Sequence, residues 1–119
     1  MEYLTALIGP FVLLLLESFF PYPYLLEEVF KFFLAKEAKT TKTAVLLGIL
    51  FSLSESIFYL FNPTYQLSVS NNIIRFLLVA PMHITTILVM QYFIKRKSMW
   101  PVGLVLAVII HFAFNSLSL

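Results

Sequence analysis

Five apolar stretches, separated by four short breaks, organise this chain. Runs of about 17–25 apolar residues are long enough to cross the hydrocarbon core of a bilayer as helices. The first runs from Tyr3 to about Phe20, with Gly9-Pro10 as an expected kink and Glu17 at an interfacial depth near its far end. Pro21-Tyr22-Pro23-Tyr24 then breaks the pattern, and proline there suits a tight connection or the first turn of a new helix. The second helix is expected over about Tyr24 to Ala38. At 1.5 Å per residue it rises only ~22 Å, short of a ~30 Å core. It reads either as a recessed span or as a continuation of the first helix through a kink. The third is expected from about Thr41 to Phe61, ending at Asn62-Pro63, the fourth from about Asn71 to Ile94, and the fifth from about Ser98 to Leu117. No internal repeat or strand-like alternation competes with this reading. The pattern predicts an all-α, multi-pass transmembrane bundle of about five helices, forming a single integral-membrane domain over 1–119.

Composition agrees. Of 119 residues, 61% are hydrophobic and 12% charged, against roughly 45–50% and about 25% in soluble domains. There is no cysteine, which excludes disulfides, thiolate catalysis and Cys-based zinc sites. The net charge of +2 is ordinary, but its placement is not. Lys36, Lys39 and Lys42 fall in or beside one connection and Lys95, Arg96 and Lys97 in another. That asymmetry is of the positive-inside kind and does not form a nucleic-acid patch. It predicts a cytoplasmic position for the 36–42 and 95–98 connections. The uncharged 62–72 connection, the Pro-Tyr-Pro-Tyr turn and the C-terminus are then outside, and the N-terminus inside. Glu2 stands where a signal peptide carries basic residues, and no A-x-A-like cleavage site follows, so the first run is expected to be retained.

Against this background, four polar signatures stand out: Glu27-Glu28-x-x-Lys31, Glu55-x-x-x-Tyr59, His83, and His111-x-x-x-Asn115. An ionisable side chain at the bilayer centre costs about 2.5–3.5 kcal/mol on insertion scales, so intramembrane ionisable residues point to function by default. Counting rise along each helix puts Glu27 and Glu28 about one turn inside the outer start of the second helix. Glu55 falls roughly 9 Å inside the outer end of the third, His83 roughly 18 Å inside the outer start of the fourth, and His111 roughly 9 Å inside the outer end of the fifth. The antiparallel helices thereby bring their polar residues to one layer between the midplane and the outer face. Residues three or four apart share a helix face, so Lys31 can pair with Glu27 or Glu28, and Glu55 aligns with Tyr59 and His111 with Asn115. Arg75 can reach the interface, Glu55 or the doublet.

The segments Leu26-Glu27-Glu28-Val29-Phe30-Lys31, Leu53-Ser54-Glu55-Ser56-Ile57-Phe58-Tyr59, Arg75 with Pro81-Met82-His83, and His111-Phe112-Ala113-Phe114-Asn115, in that order, resemble the PrsW family. That family belongs to the clan of CAAX-processing and bacteriocin-processing (CPBP, or Abi) membrane proteases. The resemblance spans about 25–116. It implies a prokaryotic cell-membrane enzyme, a glutamate-dependent intramembrane peptidase that clips a membrane-spanning protein near the outer face. Phe32 occupies the place of the arginine in the EExxxR form of CAAX-type members, while Lys31 matches the EExxK form of PrsW. Val79 stands where the FxxxH form has phenylalanine. Both departures argue against prenylated substrates.

Peptide hydrolysis needs an activated water, a proton for the leaving amine and donors for the oxyanion. Two adjacent carboxylates in a low dielectric do not both ionise cheaply, whereas a nearby ammonium favours ionisation. Glu27 or Glu28 is expected to be the base, with Glu27 favoured by the resemblance. His83 is expected to hold or polarise the water, and His111 and Asn115 to supply oxyanion donors. Lys31, Glu55, Tyr59 and Arg75 are expected to support the site or touch substrate. No cofactor is expected. Zinc held by His83, His111 and a glutamate is the runner-up, without an H-E-x-x-H motif to support it. Expected partners are a membrane protein or peptide substrate and the lipid bilayer, with a homo-oligomer as an option and no nucleic acid.

Simpler readings stand beside these. Carboxylates at a helix start suit the helix dipole, a lone polar residue is often an interhelical clasp, and a single buried histidine is often only a satisfied core residue. Two other functional classes fit the same residues: a small proton-linked carrier or channel, and a non-catalytic immunity or binding protein.

Overall fold

The computed structural model describes residues 1–62, 68–96 and 98–117. Within them the chain is all-helical, with no strand: α1 (Glu2–Glu17), α2 (Pro23–Glu37), α3 (Thr41–Phe61), α4 (Val69–Ile94) and α5 (Trp100–Leu117). Residues 63–67 of the 62–72 connection, including the Pro63 expected to end the third helix, lie outside the described residues, as does Lys97. Helices α3, α4 and α5 are each long and apolar enough to cross a membrane. The chain is a membrane protein by that criterion, and its long dimension of 44 Å matches a bilayer of about 40–45 Å including headgroups.

Local chemistry sets the helix ends. Thr40 accepts a bond from the Thr43 N–H at 3.1 Å and Ser68 from the Asn71 N–H at 3.2 Å, capping α3 and α4. The Ser68 cap starts α4 at Val69, two residues before the position the apolar pattern suggested. Pro23 occupies the first turn of α2, where a missing N–H costs nothing. Pro10 and Pro81 lie within α1 and α4, which continue through both. Helix α1 ends at Glu17, three residues before the expected Phe20.

The relation between the first two helices, which the sequence left open, is resolved. Helix α2 folds back on α1: Met1, Glu2 and Thr5 share a pocket with Phe33, Leu34 and Glu37, and Gly9 packs on the Phe30 ring. Helices α3 and α4 approach closely at Gly48, where an added Cβ would lie 2.7 Å from the Ile84 Cα. Small residues at such crossings let backbones pack tightly without a hydrophobic drive between helices. Ser54 Oγ donates to the Leu7 carbonyl at 2.5 Å, tying α3 to α1.

The molecule is inverted relative to a soluble bundle. Leu15, Leu77, Leu78, Val105, Ile109 and Phe112 face outward, while Glu28, Lys31, Ser52, Ser54, His83 and Thr86 are fully buried. An apolar core of Ala6, Leu34, Leu47, Phe51, Ile87, Met90 and Ala107 packs around them. Gln91 Nε2 donates to the carbonyls of Ala38 and Thr40, both at 3.0 Å, and fastens the α2–α3 connection to the end of α4.

Candidate functional site

The polar residues singled out in α2, α3, α4 and α5, Asn115 excepted, meet as one connected network. It begins at Lys31, which is completely buried. A lysine ammonium has three donors and no acceptor, and a buried one must use them. Lys31 Nζ pairs with Glu28 Oε1 one turn back on α2. It also contacts His83 Nδ1 at 2.9 Å and donates to Thr86 Oγ1 at 3.0 Å, both on α4. Thr86 in turn donates to the His83 carbonyl at 3.0 Å. The Phe51 ring lies 5.5 Å from Nζ and 4.8 Å from the His83 ring, closing one side.

This arrangement fixes His83. Since the ammonium only donates, Nδ1 accepts, and the ring proton sits on Nε2, which donates to Glu55 Oε2 at 2.7 Å. The other Glu55 oxygen accepts from Arg75 Nη2 at 2.9 Å, and the Arg75 guanidinium lies 3.8 Å above the Tyr59 ring. Arg75 thus pairs with Glu55, the second of its three expected options.

His111 occupies the other side of Glu28. Its Nδ1 contacts Glu28 Oε1 at 2.6 Å, and its Nε2 lies 3.6 Å from Glu27 Oε2. The first distance is a strong charge-assisted hydrogen bond. The second is beyond direct hydrogen bonding. The two carboxylates of the doublet therefore differ. Glu28 is fully buried and holds both Lys31 and His111 through Oε1, rather than sitting solvated at an interfacial helix start. Glu27 is partly accessible; the buried Oε2 of each carboxylate has no hydrogen-bond partner among the described residues, so accessibility and the Oε1 contacts of Glu28 are what distinguish the two. The two histidine rings stand 5.8 Å apart, edge to face.

Two spaces adjoin the network. A groove of about 560 Å³ opens between α4 and α5, with Ile74, Leu78, Val79, Met82 and Phe114 as apolar walls and Glu55, Arg75, His111, Asn71 and Asn115 as polar lining. Asn115 is exposed at its edge, one turn beyond His111. A much smaller cavity lies among Glu17, Glu27, Glu55, Pro10, Leu13 and Phe51. Glu17, which its position near a helix end had suggested was interfacial, thereby joins two acids of the network.

Several contributors escaped the sequence reading. Thr86 lies three residues after His83, on the same helical face, and that spacing was the available signal. Phe51, four residues before Glu55, looks like an ordinary packing residue. Glu17 carried no signal for its role, because its neighbours come from α2 and α3.

Among the described residues, no three His, Asp or Glu side chains are grouped to hold a metal ion. A zinc set built on His83 and His111 would need a ring nitrogen of His83, and both are engaged, by Lys31 and Glu55. No family model, curated protein or solved structure matches the chain.

Proposed function

We propose that this chain is an intramembrane endopeptidase of the PrsW kind, which hydrolyses a peptide bond of a membrane protein with a glutamate-activated water. The observation that carries this reading is the open couple between Glu27 Oε2 and His111 Nε2, 3.6 Å apart in the buried network. A water bridging the two is held by a base and polarised by an imidazole, the elements that general-base hydrolysis requires. Glu28 orients His111 through Nδ1, as a buried carboxylate orients the histidine of hydrolytic triads.

In this mechanism the water is deprotonated by Glu27 and attacks the scissile carbonyl, lying at the inner end of the α4–α5 groove. Asn115 and Arg75, which line that groove, donate to the developing oxyanion. Glu27 then passes the proton to the departing amine. The apolar walls suit an extended stretch of a membrane-spanning substrate, and the basic connections at the opposite end of the bundle support a site that opens toward the outer face. His111, rather than the expected His83, takes the water-holding role, because His83 has both nitrogens engaged. His83 and Lys31 become the frame that fixes Glu28 and Glu55.

The test is cleavage of single-span membrane proteins by purified protein reconstituted in liposomes. Glu27→Gln abolishes cleavage, and Glu28→Gln lowers it through misorientation of His111. Cleavage unchanged in both variants overturns the glutamate mechanism.

A second reading rests on continuity. Arg75, Glu55, His83, Lys31, Glu28 and His111 form an unbroken chain of polar contacts, and such chains also serve as proton relays. A proton-linked carrier would give pH-gradient-dependent flux in the same liposomes, without cleavage.

A further inference from the structure

We propose that the cavity at the basic end of α4 is a binding site for the phosphate of an anionic phospholipid. The cavity lies far from the carboxylate–histidine network and is independent of the peptidase reading. Its volume is about 480 Å³, and it is lined by Thr41, Leu88, Gln91, Tyr92, Lys95 and Arg96.

Three observations converge on an anionic headgroup. The first is charge. Lys95 and Arg96 have no carboxylate partner among the described residues, so the cavity presents two uncompensated cations. The Arg96 guanidinium is held 4.0 Å above the Tyr92 ring, which limits its rotamers while leaving its in-plane N–H groups free of the ring face. A guanidinium pre-set in this way matches two phosphate oxygens at reduced entropic cost. Lys95 supplies a point charge and Thr41 a hydroxyl donor.

The second is depth. Thr41 begins α3 and Lys95 follows the last residue of α4, and both helices are long and apolar enough to span a membrane. Their shared end therefore lies where hydrocarbon gives way to headgroups, the level of a phospholipid phosphate. Basic pockets between helices at this level are suited to anionic lipid headgroups.

The third is the pairing of polar and apolar lining. Leu88 and Tyr92 extend the cavity along α4 toward the bilayer centre, the direction a glycerol backbone and acyl chain would take. A free phosphate would have no use for that surface, so the lipid is the occupant to which the geometry points. The rim is also held in place: Gln91 is spent on the Ala38 and Thr40 carbonyls, so α3 and α4 keep the cavity's width without a ligand.

The test is thermal unfolding of the whole protein in a neutral detergent, titrated with phosphatidylglycerol, phosphatidylcholine or inorganic phosphate. Phosphatidylglycerol raises the midpoint and phosphatidylcholine does not. Lys95→Gln/Arg96→Gln weakens the apparent affinity for phosphatidylglycerol by about fivefold for each charge removed. A control of equal charge that spares the lining, Lys36→Gln/Lys39→Gln, weakens it less than the cavity variant does, since neither side chain lines the cavity. Lys95→Gln alone, which spares the Arg96–Tyr92 contact, gives half of the effect if the double variant is too unstable to titrate. No shift with phosphatidylglycerol overturns the proposal, as does equal weakening in the cavity and control variants. A shift with inorganic phosphate equal to that with phosphatidylglycerol overturns the lipid and leaves a free anion as the occupant.

Discussion

Lys31 Nζ lies 2.9 Å from His83 Nδ1, joining a fully buried ammonium on α2 to a fully buried imidazole on α4. The contact explains how a cation is tolerated inside an apolar bundle. All three donors of Lys31 meet acceptors, and one of these acceptors, Glu28, carries the opposing charge. The same contact orders the rest of the site, because it decides which nitrogen of His83 faces Glu55.

Lys31→Met therefore leaves Glu28 buried without its cation. Breaking a buried pair from one side costs about 3–5 kcal/mol, and the variant is expected to melt far below the parent in detergent. Adding Glu28→Met removes the orphaned charge and restores much of the loss. Non-additivity in the melting free energies of the two single variants and the double variant checks the coupling. Additive losses would show that the pair is not a unit.

The tautomer of His83 is a separate prediction. With Lys31 donating to Nδ1 and Glu55 accepting from Nε2, the ring is neutral and protonated at Nε2. Nitrogen NMR of histidine-labelled protein will show one protonated and one unprotonated ring nitrogen, with the proton on Nε2. Thr86→Val removes one Lys31 acceptor and the donor to the His83 carbonyl. It costs about 1–3 kcal/mol for the unsatisfied donor and shifts the His83 resonances. Unmoved resonances would mean that Thr86 does not position the ring.

Much of this was legible in the chain itself. The apolar runs and their proline and polar breaks located five helices to within a few residues, because segment length and capping chemistry are local properties. Depth counting placed Glu27, Glu28, Glu55, His83 and His111 in one layer, because antiparallel helices of known rise leave few alternatives. Which atoms meet was not legible. Lys31 had two possible partners on its own helix, and Arg75 had three, and only packing between helices selects among them. The doublet looked symmetric, yet burial separates a locked Glu28 from a more open Glu27. Whether α2 continued α1 or folded back was undecided because Pro21-Tyr22-Pro23-Tyr24 permits both. Contacts with Phe30 and Leu34 decide it.

That asymmetry within the doublet has a measurable consequence. Glu28→Gln strips the charge that Lys31 and His111 share and is expected to cost about 3–5 kcal/mol. Glu27→Gln removes a carboxylate whose inner oxygen has no hydrogen-bond partner among the described residues. Its effect is expected to be about 1 kcal/mol, the centre of the range for single substitutions. Melting of both variants under one condition tests the difference. Equal losses would mean that Glu27 is held as tightly as its neighbour.

Gly48 sets how near α3 comes to α4, and therefore how Glu55 meets His83. A methyl group there would lie 2.7 Å from the Ile84 Cα and 2.9 Å from the Ile84 N. Both are backbone atoms, so no rotamer relieves the clash and the helices must part. Alanine contributes about 1 kcal/mol of helix propensity over glycine, whereas overpacking costs about 1–3 kcal/mol. Gly48→Ala is thus expected to destabilise by up to about 2 kcal/mol. Ile84 adjoins His83, so the parting also lengthens the Glu55–His83 bond, now 2.7 Å. Nitrogen NMR would report it as a weakened hydrogen bond at His83 Nε2. Replacing Ile84 with alanine alongside Gly48→Ala removes the side-chain part of the clash, including the Ile84 Cγ1 at 2.8 Å, but leaves the backbone part. Only partial recovery of stability is expected. Full recovery would show that the Ile84 side chain, and not backbone approach, sets the spacing of the two helices.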